Sequence, residues 1–415
     1  MQKLEIEGNH ILNGTVKISG AKNSAVALIP ASILSDDVVT ISNVPNITDR
    51  DALNEILTYL GANVKIDNET MIIDSTNIEN KEIPESISKK LRASYYFMGA
   101  LLGKYKKVKM YFPGGCKIGV RPINLHLKGF EALGANITEK GNQYIIEADE
   151  LIGNNIYLDI ASVGATINIM LAAVKAKGTT IIENAAKEPE VVNVAIFLNN
   201  MGARIIGAGT SKIMIIGVDK LNGCYHEVIP DRIEAGTYMI AAAMIGKDVK
   251  IANVIPEHLE ALSSKLKEIG TKVDIGDDYF VISKSDNMQG VNIRTFTYPG
   301  FPTDLQQPIT ALLCQCEGVS LVEETIFENR FQNVDYLNKM GANIKVNGKE
   351  AKVYGPTKLK GCEVVATDLR AGACLVLAAL VAEGTTSIYN IEHILRGYEG
   401  LVDKLSNLGA KIKIV

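Results

Sequence analysis

Nothing in this chain reads as a covalent staple, a membrane anchor or a polyelectrolyte. Its six cysteines, Cys116, Cys224, Cys314, Cys316, Cys362 and Cys374, are scattered over 415 residues without a CxxC pair. Neither a disulfide framework nor a zinc ribbon is indicated. The five histidines form no HxxxH pair, so no local metal motif is present. Lys plus Arg (43) nearly balances Asp plus Glu (47), leaving a formal charge of −4 and no general nucleic-acid footprint, although a local basic pocket is compatible with it. The longest apolar stretches, 239–245 and 374–382, fall far short of the ~20 residues that a membrane-spanning helix needs. The opening MQKLEIEGNH has no apolar signal core. A soluble, cytoplasmic protein without nucleic-acid or membrane partners is expected. No P-loop or dinucleotide fingerprint appears: GAGTSK at 207–212 lies between two strand-like runs with no helix after it, and reads as a hairpin turn.

What the chain does have is ordinary globular composition, 47% hydrophobic and 22% charged, at a length that suits two domains better than one core. It also has a repeat. LGANVKI from Leu60 recurs as LGANITE from Leu133, MGARIIG from Met201, IGTKVDI from Ile269, MGANIKV from Met340 and LGAKIKI from Leu408. The glycines are 61, 134, 202, 270, 341 and 409, in steps of 73, 68, 68, 71 and 68 residues. A β-branched phrase precedes each: DDVVTISN, GKYKKVKMYF, KGTTIIEN, GKDVKIAN, EGVSLVEE and EGTTSIYN. The second copy is spaced wider and carries the insertion PGGCKIGVRP at 113–122. Insertions in one repeat usually fall in loops, and loops often carry function.

Each unit reads as an Ala-rich helix, a strand, an amphipathic helix whose glycine caps its C-terminus, and a two-strand segment. The sixth copy stops after KIKIV, so QKLEIEG and TVKISG at the N-terminus supply its missing strands if the chain ends meet. That closure predicts one domain over 22–229, carrying a cysteine loop at about 112–122, and a second over 1–21 plus 230–415. Two crossings between halves suit a hinged pair with a cleft.

Equivalent positions of a repeat point the same way, so the first polar residues of the Ala-rich helices should gather. They are Lys22, Asn23 and Ser24, then Arg92, Ala93 and Ser94, then Ser162, Val163 and Gly164 in the first half. In the second they are Asp231 with Arg232, Asp304, and Asp368 with Arg370. Converging helix N-termini make an anion site, and Lys22, Arg92 and Arg121 would strengthen it for phosphate or carboxylate. The three aspartates equally suit plain N-caps, and Asp304, placed at a helix start, should then tolerate Asn with little loss of stability. Cys116, in a Pro-Gly-Gly loop beside Lys117, has the neighbours of a thiolate-prone cysteine. Cys314, Cys316 and Cys374 sit in apolar helical runs and read as core thiols.

These segments resemble the enolpyruvyl transferases end to end and in order. The resemblance is carried by ISGAKNSA at 18–25, LRAS at 91–94, PGGCKIGVRPINLH at 113–126, SVGATINIM at 162–170, ENAAKEPEVV at 183–192, PDRIEAGT at 230–237, FPTDLQQP at 301–308, FENRF at 327–331, ATDLRAG at 366–372 and RGYE at 396–399. The cysteine loop points to the branch whose acceptor is UDP-N-acetylglucosamine and which begins peptidoglycan synthesis, rather than to the shikimate branch. The resemblance implies a two-domain inside-out α/β barrel of six βαβαββ-type repeats, three per domain, with the active site in the cleft between them. It implies transfer of the enolpyruvyl group of phosphoenolpyruvate to the 3′-hydroxyl of the sugar nucleotide through a tetrahedral ketal, with release of phosphate and no cofactor. Lys22 and Asn23 match the phosphoenolpyruvate pair, and Arg121 and Arg396 the phosphate and carboxylate clamps. Arg92 matches an anion contact, and Asp304 the carboxylate that receives the acceptor proton. Arg121, Pro122, Ile123, Asn124, Leu125, Ser162, Val163, Gly164 and Ile326 match the nucleotide wall, and Arg330, Asp368 and Arg370 the second half of the site. Cys116 matches the proton donor and the target of fosfomycin. Ile160 stands where many relatives have lysine. A shikimate-type acceptor, or a non-catalytic nucleotide-sugar module, are the competing readings. The cysteine loop argues against the first, and the joint presence of Lys22, Cys116, Asp304 and Arg396 against the second.

Overall fold

A computed structural model of the chain describes residues 2–112 and 122–415. Cys116, Lys117 and Arg121 lie outside these described residues. The Ala-rich segments form the helices Lys22–Ala31, Tyr96–Tyr105, Val163–Ala173, Arg232–Ile245, Gln306–Leu313 and Leu369–Val381. Past their first turn they have almost no exposed residue. A helix that is apolar all round must be enclosed, and its small Ala and Gly residues let neighbours approach. Tyr96–Tyr105 packs on Val163–Ala173, and Gln306–Leu313 on Leu369–Val381. The amphipathic helices cover one face only. Thr48–Leu60, for example, turns Leu53, Ile56, Leu57 and Leu60 inward, the spacing of a single helical stripe.

All six recurring glycines have φ between 94° and 105°, a left-handed conformation that only glycine adopts without strain. There the amphipathic helix ends and the chain turns back into a strand. The sheets share one order. In the third repeat it runs Asn155–Tyr157, Thr179–Glu183, Lys212–Ile216, Arg204–Ile206. The first pair is parallel (Ile156 opposite Ile182) and the others antiparallel. GAGTSK is indeed the turn between the last two strands, with Gly207 and Gly209 at φ 87° and 89°. In the second repeat the parallel edge shrinks to one bridge, Ile83 to Met110. Pro84 follows Ile83, and proline brings no N–H to a ladder.

Of the two N-terminal strands only the first goes where the repeat count places it; the second joins the fourth repeat instead of the sixth. Leu4–Glu7 pairs antiparallel with both Thr385–Tyr389 and Lys411–Ile414, completing the sixth repeat. Thr15–Lys17 runs parallel to Val249–Ala252, at the edge of the fourth. The edge of the first repeat, beside Val39–Ser42, comes from Tyr225–Glu227. The described residues form two compact units, 2–19 with 230–415, and 20–112 with 122–229. Each has its own hydrophobic core. Among the described residues six separate open sheets are present and none closes on itself. The buried helices, not a shared ladder, join the sheets within each unit. Among the described residues no helix is long and apolar enough to cross a membrane.

Candidate active site

In the unit containing 230–415, Asp304 sits in the short turn Thr303–Leu305 that opens the helix Gln306–Leu313. It caps nothing, which corrects the reading of all three aspartates as possible N-caps. Its Oδ1 accepts from Nη1 and Nη2 of Arg330, at 3.0 Å each, and its Oδ2 accepts from Nη2 of Arg370 at 3.0 Å. The two arginine side chains are each 4% exposed and Asp304 24%. Burial by itself would raise the Asp304 carboxyl, but Arg370 and Arg330, with Arg232 adding to them, hold it well below the usual carboxylate range.

The arginines are themselves braced. Arg370 lies 5.4 Å from the Tyr398 ring, and the Tyr398 hydroxyl shares a 2.9 Å hydrogen bond with Thr237. Arg330 lies 5.1 Å from the Phe327 ring and donates to the Thr303 carbonyl at 2.8 Å. Asp368 and Asp231 are caps: Oδ1 of Asp368 accepts from the N–H groups of Arg370 and Ala371, and Oδ1 of Asp231 from those of Ile233 and Glu234. Asp368 thereby fixes the backbone that carries Arg370. Ile326 is 36% exposed, and its N–H is held by Glu324. Arg396 follows the short helix Glu392–Leu395 and is partly exposed.

In the other unit, Lys22 opens the first buried helix and pairs with Asp49 at 2.9 Å, so its charge is already partly compensated. Asn23 follows, partly exposed, while Ser24 turns into the core and donates to Asn193. Arg92 begins a short turn with its guanidinium 5.7 Å from the Phe112 ring. Ser162 caps the helix Val163–Ala173 by accepting from the Ala165 N–H at 3.3 Å. Gly164 is forced by close approach: a Cβ there would stand 2.8 Å from the Tyr95 hydroxyl and 3.1 Å from the His126 ring. Arg92, Tyr95, His126 and Gly164 therefore share one neighbourhood.

His126 has a defined protonation state. Oδ1 of Asn168 accepts from the Gly99 N–H, so its Nδ2 is a donor, giving one hydrogen to the Tyr95 carbonyl and one to Nδ1 of His126. The ring is neutral, with its proton on Nε2. Burial, then Arg92, push its pKa down to about 3.

Not every expected wall residue presents a side chain. Pro122 and Asn124 are exposed and Leu125 partly so, but Ile123 is packed into the core. Ile160 is 68% exposed. Cys116 and Arg121 fall outside the described residues. Asp49, Tyr95, His126 and Thr303 were not singled out in the sequence, although His126 closes the quoted PINLH segment.

A sequence model of the family described as EPSP synthase (3-phosphoshikimate 1-carboxyvinyltransferase) matches residues 6–405. The chain is 55% identical over 412 residues to UDP-N-acetylglucosamine 1-carboxyvinyltransferase 2 of Geobacillus kaustophilus, covering 99% of this chain and 96% of that one. It is also 55% identical over 413 residues to the protein of that name from Bacillus subtilis, with the same coverage. Among solved structures, the enolpyruvyl transferase NikO from Streptomyces tendae superposes with a TM-score of 0.91 at 26% identity, covering 100% of this chain and 99% of that one. The repeated α/β units, the arginine-held carboxylate and these matches lead to one conclusion: the chain belongs to the enolpyruvyl transferase family.

Proposed function

We propose that this protein transfers the enolpyruvyl group of phosphoenolpyruvate to the 3′-hydroxyl of UDP-N-acetylglucosamine and releases phosphate. The observation that carries this reading is the 55% identity, over 99% of the chain, to proteins that bear that activity as their name. In this reading the hydroxyl oxygen bonds to C2 of phosphoenolpyruvate while C3 gains a proton, giving a tetrahedral ketal. C3 then loses a proton as the C2–phosphate bond breaks. Cys116 supplies the proton to C3 and is the residue that fosfomycin would alkylate. Lys22, Asn23, Arg121 and Arg396 hold the phosphate and carboxylate of phosphoenolpyruvate. Arg92, with the 122–125 and 162–164 segments and Ile326, holds the sugar nucleotide.

Asp304 takes the acceptor proton. A carboxylate gripped by two guanidiniums is a weak base, so proton acceptance follows the arrival of substrate anions, which compete for Arg330 and Arg370 and let the Asp304 carboxyl rise. The cation-rich surroundings also stabilise the departing phosphate.

Phosphate release from phosphoenolpyruvate, measured with each acceptor in turn, tests the reading. Release that depends on UDP-N-acetylglucosamine is expected. Release that instead depends on 3-phosphoshikimate, or no release with either acceptor, contradicts it.

A further inference from the structure

Glu324 follows the strand Gly318–Glu323 and is 1% exposed. A buried carboxylate is costly unless its oxygens are satisfied. Four neutral donors do so here. Its Oε1 accepts from the Thr295 hydroxyl at 3.0 Å and from the N–H groups of Ile326 and Phe327 at 2.8 and 3.1 Å. Its Oε2 accepts from the Thr303 hydroxyl at 2.9 Å. One side chain thus ties together the end of a strand, the turn that bears Asp304, and the segment that bears Ile326.

The direction of one bond in this group is dictated. The Thr303 hydroxyl lies between Oε2 of Glu324 and, at 3.1 Å, Nη1 of Arg330. An ionised carboxylate only accepts and a guanidinium only donates. The single hydroxyl hydrogen must therefore point at Glu324, which leaves an oxygen lone pair to receive Arg330. The two hydrogens of that Nη1 are shared among three acceptors, the Thr303 hydroxyl, the Thr303 carbonyl and Oδ1 of Asp304. The Arg330 guanidinium also lies 5.1 Å from the ring of Phe327, whose backbone N–H is held by Glu324. Glu324 touches neither Asp304 nor Arg330 in these contacts, yet it holds two residues, Thr303 and Phe327, that both contact the guanidinium.

We infer that Glu324 is a positioning residue of the acceptor site: it acts on Asp304 through Thr303 and Arg330, and on the acceptor wall through Ile326. The inference rests on the reading of Asp304 as the group that receives the acceptor proton.

The test compares Glu324→Gln, Thr303→Val, Thr303→Ser and the double variant Glu324→Gln/Thr303→Val with wild type. Phosphate release from phosphoenolpyruvate and UDP-N-acetylglucosamine is followed, with kcat and KM resolved and kcat taken across pH. Glu324→Gln and Thr303→Val should each lower kcat by about ten- to a hundredfold, the scale of a misplaced catalytic group. The double variant should fall no further than the worse single, because both changes break one chain. Thr303→Ser keeps the hydroxyl and should stay near wild type. The acid limb of kcat should move to higher pH in Glu324→Gln as Arg330 loosens from Asp304, whereas a merely structural lesion lowers the active fraction and leaves the limb in place. If Glu324→Gln does not fold, the contrast between Thr303→Val and Thr303→Ser decides alone. Wild-type kcat in Thr303→Val, losses that multiply in the double variant, or equal losses in Thr303→Ser and Thr303→Val would overturn the inference. A wild-type rate in Asp304→Asn would overturn the reading of Asp304 instead, and the two failures are separable.

Discussion

Between Arg330 and Arg370, Asp304 is a single carboxylate shared by two guanidiniums whose side chains are each 4% exposed. Asparagine in its place would keep the shape and remove the charge, leaving both cations short of a partner. Breaking a fully buried pair costs about 3–5 kcal/mol. With Asp304 itself 24% exposed, about 2–3 kcal/mol is expected, which lowers Tm by roughly 5–10 °C. Turnover should fall by about 10²-fold or more, as for loss of a general base. Calorimetry and a phosphate-release assay on Asp304→Asn check both halves, and unchanged melting would contradict the ion-pair account. Little of this was legible in the sequence. The partners stand 26 and 66 residues from Asp304, the second of them in the next repeat, and no local pattern announces that a helix-start aspartate faces arginines rather than backbone N–H groups. Glu324 was still harder to see, because Glu323-Glu324 looks like an ordinary solvated pair.

His126 offers a second test at this scale. Its pKa falls from 6.5 in the unfolded chain to about 3 in the fold, so the unfolded state binds more protons between those values. Its contribution to stability is complete above about pH 6.5 and is lost as pH falls toward 3. Going from pH 7 to pH 5 should cost about 2 kcal/mol from this residue. Comparing denaturant midpoints of wild type and His126→Gln across that interval isolates it, and equal slopes would contradict a neutral buried imidazole.

At the level of elements, the regular spacing of six phrases made the helix–strand–helix–hairpin unit readable. The left-handed glycines are the physical reason the phrase recurs. Gly202 has φ 104°, and the nearest atom to a Cβ placed there is 3.6 Å away. Gly202→Ala therefore probes backbone strain without a clash and should cost about 1–2 kcal/mol. Urea unfolding measures it, and a stabilised variant would contradict the cap assignment. A second device lay in the same phrases unread. Asn43, Asn184 and Asn253, which end the strand phrases, also have positive φ, and their side-chain amides donate to the carbonyls of Val228, Leu158 and Ile18. A terminal Asn marks a turn, but which carbonyl it reaches depends on the neighbouring parallel strand, which comes from elsewhere in the chain.

For the molecule as a whole, closure of the repeat by the N-terminus is what a six-copy count with a truncated last copy demands. Leu4–Glu7 is an interior strand between Thr385–Tyr389 and Lys411–Ile414. Deleting residues 2–8 would split that sheet and expose Ile388 and Ile412, both buried in the intact chain. The shortened protein should fail to unfold cooperatively or should be recovered insoluble, and wild-type melting would contradict the closure. Periodicity gives the order of elements and not whether the sheets they build share an edge; that the six described sheets stay separate is visible only in the structure. The central claim concerns chemistry, and identifying the product tests it most directly. After incubation with phosphoenolpyruvate and UDP-N-acetylglucosamine, mass and proton NMR spectra of the nucleotide should show one added enolpyruvyl unit with its vinyl protons, in equal amount to the phosphate released. Phosphate released with the sugar nucleotide unchanged, or enolpyruvyl transfer seen only when 3-phosphoshikimate replaces it in a parallel incubation, would contradict the account.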